Sequence, residues 1–203
     1  MERGGCVRYY ISDLHFFHEA LNTKMDCRGF DDARQMNERI IEIWNRKVRK
    51  NDEVVILGDL SLGGAEETNE VLERLKGRLF LILGNHDTLV GKKAFKQERF
   101  GWIRPYAELH DNGRKVVLCH YPVFCYNGQY RRNQKGNPRT YMLYGHVHAT
   151  RDQRLVDTFC RITGEQGIPC QMINCFCMYS GYEPLTLDEW IINDKKRDKG
   201  GVE

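Results

Sequence analysis

Five short apolar runs in this 203-residue chain each stop at a residue that can bind a metal ion. They are Arg8-Tyr9-Tyr10-Ile11-Ser12-Asp13-Leu14-His15, Val54 to Asp59, Leu79 to Asp87, Val116 to His120, and Met142 to His148. Together they present Asp13, His15, Asp59, Asn85, His120, His146 and His148, a set of carboxylate, amide and imidazole donors with no thiolate among them. Such donors suit Mn²⁺, Fe or Zn²⁺ better than a thiolate-preferring ion. Two divalent ions about 3.5–4 Å apart can clamp a phosphoryl group, activate a water and neutralise charge that grows on the oxygens. Two dications less two carboxylates and one hydroxide leave about +1, which attracts an anionic substrate. Taken singly, Asp-x-His, Gly-Asn-His-Asp or His-x-His is an ordinary cap, turn or strand pair. Their recurrence at the ends of five apolar runs reads as one site.

The elements that must position these residues are legible in the same runs. Apolar, β-rich runs bounded by glycine are buried strands, and in α/β sheets ligands gather beyond the carboxyl ends of such strands. Gly58, Gly84 and Gly145 stand before Asp59, Asn85 and His146, where the backbone must leave the strand sharply and come close to an ion or bound group. Ala33, Met36, Ile40, Ile41, Trp44 and Val48 have helical spacing and predict a helix over 32–48, capped by Asp31 or Asp32. A strand at 54–57, a helix at 66–76 stopped by Gly77, and a strand at 79–83 complete a β-α-β-α-β order, so the class is α/β with a parallel sheet flanked by helices. Beyond Tyr106, Asp111-Asn112-Gly113 signals a hairpin and a more antiparallel second half. Strands are expected at 140–145, 153–159 and 171–175, then a short helix at 187–192. One domain spans 1–203, with 193–203 expected as a flexible basic tail.

In this order, Asp13-x-His15, Gly58-Asp59, Gly84-Asn85-His86-Asp87, His120 and Gly145-His146-x-His148 resemble the signature of the calcineurin-like metallophosphoesterases, over residues 7–150. The resemblance implies a four-layer α/β/β/α sandwich of two mixed β-sheets flanked by helices. It further implies two divalent metal ions, the first on Asp13, His15, Asp59 and His148 and the second on Asp59, Asn85, His120 and His146. A bridging hydroxide would attack the ester, His86 would give a proton to the leaving oxygen, and Asp87 would orient the His86 ring. Many members carry a second acid three residues after the Gly-Asp pair, where this chain has Leu62. Only the residues 149–203 follow His148, too few for a large capping domain, so the chain looks most like the compact single-domain bacterial or phage members. Phosphodiesters are the favoured substrates. A phosphomonoesterase, a nucleotide pyrophosphatase and a non-catalytic binding scaffold of the same fold remain alternatives.

Substrate selection is expected between His120 and His146. Tyr121-Pro122 turns the chain away, and the stretch from Tyr126 to Arg132 mixes aromatics with guanidinium groups suited to stacking a base and pairing a phosphate. Arg131, Arg132, Lys135 and Arg139 bring four positive charges without an acid. Tyr126, Tyr130, Arg131 and Arg132 are therefore candidate contacts for a small phosphorylated substrate, a nucleotide or a short nucleic acid, against the reading of a solvated loop. Arg28 and His18, just past the first ligand pair, are candidates to face the same cleft, against a surface reading.

Composition bounds the remaining classes. A net charge of +3 is too small to argue for nucleic acid by itself, and 41% hydrophobic with 29% charged residues is the balance of a globular protein. No apolar stretch approaches the ~20 residues that cross a bilayer, and Met1 to Cys6 has no apolar core of a secretion signal. A cytoplasmic protein without a cleaved leader or a membrane partner is expected. The eight cysteines then read as reduced and mostly buried, and Cys160, Cys170, Cys175 and Cys177 lack the paired spacing of a structural zinc site.

Overall fold

A computed structural model of the chain describes residues 5–168 and 170–197. Two four-stranded sheets stack face to face. In the first, β1 (Arg8–Ile11), β2 (Glu53–Ile56), β3 (Arg78–Ile82) and β4 (Phe100–Arg104) lie side by side in chain order, parallel throughout. The second sheet is mixed. Its β5 (Tyr106–Asp111) and β6 (Arg114–Cys119) form the expected hairpin, and β7 (Thr140–Tyr144) and β8 (Met172–Asn174) add in parallel to β6. Asn112 and Gly113 both have positive φ, 47° and 75°, the two-residue turn whose twist matches the strands it joins.

Alternation along the strands creates three apolar layers. Tyr9, Ile11, Val54, Ile56, Leu79 and Leu81 face α1 (Ala33–Lys47) and α2 (Ala65–Arg74), meeting Met36, Ile40, Trp44, Val71 and Leu72. Their neighbours Tyr10, Val55, Phe80 and Ile82 point the other way, onto Val116, Leu118, Tyr141, Leu143 and Ile173 of the second sheet. On the far side of that sheet Val117, Met142 and Tyr144 pack on Val156 of α3 (Arg151–Glu165). The result is the expected α/β/β/α order. A fourth helix, α4 (Leu187–Lys196), sends Trp190 into the middle layer, where its indole N–H donates to the Tyr10 carbonyl at 2.8 Å. A buried tryptophan of this kind holds about 3–5 kcal/mol against alanine.

Three expectations about the chain's elements change. Residues 153–159 are helical, inside α3, not a strand. Thr150 caps that helix by accepting from Asp152 N, and Gln153, Val156 and Thr163 are buried at helical spacing, while Leu155 is 62% exposed. Residues 193–197 are not a flexible tail, since 193–196 complete α4 and the Arg197 guanidinium pairs with Asp157 at 2.7 Å and Asp194 at 3.3 Å. The rest of that stretch, 198–203, lies outside the described residues. Third, β4 has no counterpart among the expected strands; Gly101 within it leaves room for the Phe80 ring. The cysteines are not mostly buried: Cys175 and Cys177 are, but Cys6, Cys27 and Cys125 are exposed; Cys160 lies 4.0 Å from Cys170, and among the described residues no thiol joins a metal-holding cluster. No helix among them is long and apolar enough to cross a membrane.

The two sheets converge at one edge. Beyond β1, Ser12 N donates to Cys175 O (2.8 Å), and Cys177 N donates to Ser12 O (3.1 Å), stitching the carboxyl end of the first sheet to that of the second. Every strand that ends in a candidate ligand therefore delivers it to the same place. Parallel pairing of β6 with β7 has a second consequence. The chain leaving His120 must travel back to the opposite end before it can enter β7 at Thr140.

Candidate metal centre

The strand ends bring six of the seven predicted ligands into two overlapping groups. Asp13, His15, Asp59 and His148 form one, and Asp59, His120 and His146 the other, with ligand atoms in each group within 4.8 Å of one another. Asn85 completes the second, its Oδ1 lying 3.1 Å from His120 Nε2 and 2.8 Å from His146 Nδ1. At the centre, Asp59 Oδ2 is 3.4 Å from His15 Nε2 and 3.5 Å from His120 Nε2. His15 and His148 turn their Nε2 atoms toward each other at 3.2 Å. Imidazole nitrogens and carboxylate oxygens brought this close together, most of them buried, are a donor set for cations.

Backbone shape is part of how this is achieved. Asp13, His15, Asp59, His146 and His148 all have φ between 47° and 70°, the left-handed region. Each costs on the order of 1 kcal/mol, and such outliers cluster at functional sites. Two glycines allow the close approach that the sequence suggested, although what approaches is another ligand side chain. A Cβ on Gly84 would stand 2.3 Å from Asp59 Oδ1, and one on Gly145 would stand 2.6 Å from Asp13 Oδ2.

Hydrogen bonds behind the ligands fix which nitrogen points inward. His120 Nδ1 donates to the Leu57 carbonyl at 2.8 Å, leaving Nε2 for the centre. His148 Nδ1 donates to Asp26, 2.8 and 3.0 Å from its two oxygens. Asp26 has no counterpart in the sequence reading. It lies 122 positions from His148, in no recognisable pattern, and only the fold joins them. Arg28 holds it in turn through Nε (3.1 Å) and Nη2 (3.0 Å), and also donates to the carbonyls of Leu14 (2.8 Å) and Asp13 (2.9 Å) and to Met36 Sδ (3.7 Å). Arg28 is buried and engaged with these partners, so it neither faces the cleft nor lies at the surface, the two readings its sequence position allowed.

The electrostatics follow from burial and these partners. Burial holds the His15 imidazole at about 2, so it is a neutral donor. Burial would also pull His148 down, but polar contacts and charge from Asp13 and Asp26 raise it to about 9. Burial pushes Asp13 and Asp59 up, yet the surrounding imidazoles win and keep both below the ordinary carboxyl value. A raised imidazole pKa stabilises the fold fully below the unfolded value, near 6.5, and that contribution is lost as pH rises through about 9. The same proton competes with an ion for His148 Nε2, so ion uptake here strengthens over that window. Asp26→Asn should lower the His148 pKa, flatten this pH dependence and weaken the ion at the first group by about 10–100-fold, with the second group little affected. Metal titrations across pH and the His148 ring resonances check it; an unchanged pH profile would deny Asp26 this role.

Asp87 does not orient the His86 ring. Its carboxylate accepts from the backbone N–H groups of Asp59 (3.0 Å), Leu60 (2.8 Å) and Gly84 (2.7 Å), clamping the two ligand-bearing turns together. Burial raises its pKa despite those donors. His86 is exposed, its ring 5.4 Å from that of His15, and its backbone N–H donates to Asp59 Oδ1 at 2.9 Å. Half-buried His18 lies on the same side, its ring also 5.4 Å from His15. Tyr121, 45% exposed, stands edge-on to both His120 and His146.

The remaining substrate candidates do not reach the centre. Tyr126 is buried under the second sheet, where its hydroxyl accepts from Gln171 N at 2.7 Å. Tyr130, Arg131 and Arg132 sit at the other end of the sheet, because the returning loop is anchored there. Arg139 N donates to Arg131 O (2.9 Å), Lys115 N to Arg139 O (2.8 Å), and Arg139 Nη2 to Gly113 O (2.9 Å), beside the hairpin turn. The length of β6 separates this loop from His120, about 15–20 Å. Changing Arg131, Arg132 and Arg139 together to alanine should leave the Michaelis constant and its salt dependence unaltered; a clear rise in the constant at low salt would return the loop to the site.

The comparisons with known proteins agree with this architecture. A family model described as calcineurin-like phosphoesterase matches residues 9–171. An uncharacterized protein of Methanocaldococcus jannaschii is 32% identical over 182 residues, 89% of this chain and 86% of its own. The UDP-2,3-diacylglucosamine hydrolase of Psychromonas ingrahamii is 28% identical over 126 residues, 54% of this chain and 51% of its own. A crystal structure of a protein of unknown function from Aquifex aeolicus shares the fold, with a TM-score of 0.64 over 95% of this chain and 100% of that one, at 23% identity. Since the family model spans every strand end that carries a ligand, and a relative follows the chain over most of its length, this protein belongs to the calcineurin-like phosphoesterases.

Proposed function

We propose that this metal-dependent phosphoester hydrolase holds two divalent ions, of Mn, Fe or Zn type, and acts on phosphodiesters. The carrying observation is Asp59, whose carboxylate belongs to both Asp/His groups. In this reading Asp13, His15, Asp59 and His148 hold the first ion, and Asp59, Asn85, His120 and His146 the second. Bound ions would supply Lewis acidity toward the phosphoryl oxygens and an ionised water as nucleophile. The protein's own groups set the rest. Leu57 and Asp26 hold the His120 and His148 rings so that Nε2 faces inward. Asp13 and Asp59 leave two dications only a small positive excess. The Arg28 charge is offset by Asp26 at 3.0 Å and the basic loop lies at the far end, so neither adds net positive charge to that excess. A diester carries one negative charge and a monoester close to two at neutral pH, and the lack, among the described residues, of a further cation to meet that second charge supports the diester reading. His86, at the exposed rim, gives the leaving oxygen its proton.

The relative named for UDP-2,3-diacylglucosamine supports a nucleotide-linked substrate over a simple monoester. The test is a substrate panel on the Mn-loaded protein: an aryl monoester, an aryl diester, a cyclic nucleotide, a UDP-sugar and a short oligonucleotide. A preference for diesters of at least about 10-fold in kcat/KM is expected. Preference for the monoester would reject the diester reading, and full metal occupancy without any hydrolysis would leave a binding scaffold.

A further inference from the structure

We propose that His18 contacts the substrate, its imidazole donating a hydrogen bond to a phosphoryl oxygen of the bound ester. The inference rests on the phosphoesterase reading and extends it to a residue outside both metal-holding groups. His18 and His86 each bring a ring within 5.4 Å of the His15 ring, so two imidazoles flank one ligand. Neither is needed to complete a coordination set.

The ring is positioned by a rigid turn. His18 N donates to His15 O at 3.1 Å, and the preceding Phe17, with φ of 67°, donates its N–H to Asn37 Oδ1 on α1 at 3.1 Å. Side-chain Nδ1 is buried and has no hydrogen-bond partner among the described residues. A proton there would have no acceptor, so the neutral ring carries its proton on Nε2 and can offer it outward. An unpartnered buried nitrogen is costly, and its retention asks for a compensating role at the other end of the ring. The cleft gives that role a purpose. Arg28, the guanidinium behind the first ligand group, is spent on Asp26 and two backbone carbonyls. Phosphoryl oxygens that the ions do not cover therefore need a neutral donor, which suits the single charge of a diester.

His18→Ala and His18→Gln test this, since a glutamine amide N–H can stand near the position of imidazole Nε2. Three readouts are taken on Mn-loaded protein: metal content, KM and kcat on a nitrophenyl diester, and the Kd for inorganic phosphate by calorimetry. His18→Ala should keep its metals, raise both KM and the phosphate Kd about 10-fold, and change kcat less than about 3-fold. His18→Gln should recover most of the loss. Unchanged KM and phosphate Kd in His18→Ala would overturn the inference, and loss of metal would make His18 a positioning residue for His15 instead. Those outcomes leave the phosphoesterase reading standing if the unaltered protein turns over. An unaltered protein that holds its metals but neither hydrolyses an ester nor binds phosphate would overturn both.

Discussion

Asp59→Asn is expected to empty both metal groups together and to cut ester hydrolysis by at least about 10³-fold. The reason is positional. Asp59 Oδ1 is occupied by the His86 backbone N–H at 2.9 Å, while Oδ2 lies between His15 Nε2 and His120 Nε2, at 3.4 and 3.5 Å. An asparagine that keeps its oxygen on the His86 N–H must turn its NH₂ into the centre, where a donor cannot ligate a cation. It also removes one of the two charges that offset the ions. His148→Ala should by contrast lower occupancy mainly in the first group, leaving Asp59, Asn85, His120 and His146 intact. Elemental analysis and turnover on the two variants separate the cases, and normal metal content with normal turnover in Asp59→Asn would sink the shared-carboxylate model.

His86→Ala is expected to keep its metals and to lose roughly 10²-fold or more on a diester with an alkyl leaving group, but much less on the nitrophenyl analogue. An alkoxide leaves poorly without a proton, whereas nitrophenolate departs unaided. The side chain is exposed and contributes to neither metal-holding group, while its backbone N–H is tied to the carboxylate that both groups share. In the proposed mechanism that tie would fix His86 relative to the ions without making it a ligand. Metal loss in the variant would make His86 a ligand after all, and equal losses on both substrates would mean that it holds substrate or stabilises charge.

The candidate ligands were legible because each ends an apolar strand and three follow a glycine, a local pattern that survives without any knowledge of the fold. Other features depend on contacts that cross the chain. Asp26 gains its meaning from His148, and nothing around it in sequence marks a partner. Arg28 and Tyr126 carry chemistry suited to a phosphate or a base, yet both are taken up by backbone groups inside the fold. The basic loop was misplaced for a topological reason: it follows a metal ligand in sequence, but parallel pairing of β6 and β7 sends it to the opposite end. Residues 153–159 mix Val, Thr and Phe, which suit a strand, and the cap at Thr150 decides for a helix. Asp87 sits beside His86 in sequence and turns away from it in space.

Gly145 belongs to the second sheet and Asp13 to the first, and the space of one absent methyl lets them meet. Gly58 repeats the arrangement across the same divide, since a Cβ there would stand 2.3 Å from His120 Nδ1. The two sheets thus meet at the centre with no room for an added methyl, so the spacing of the candidate ligands depends on the separation of the sheets. Interiors are dense enough to transmit such displacements. Altered side-chain volume in the layer formed by Val55, Phe80, Leu118 and Leu143 would therefore be read out as altered ion affinity, although none of these side chains is a ligand.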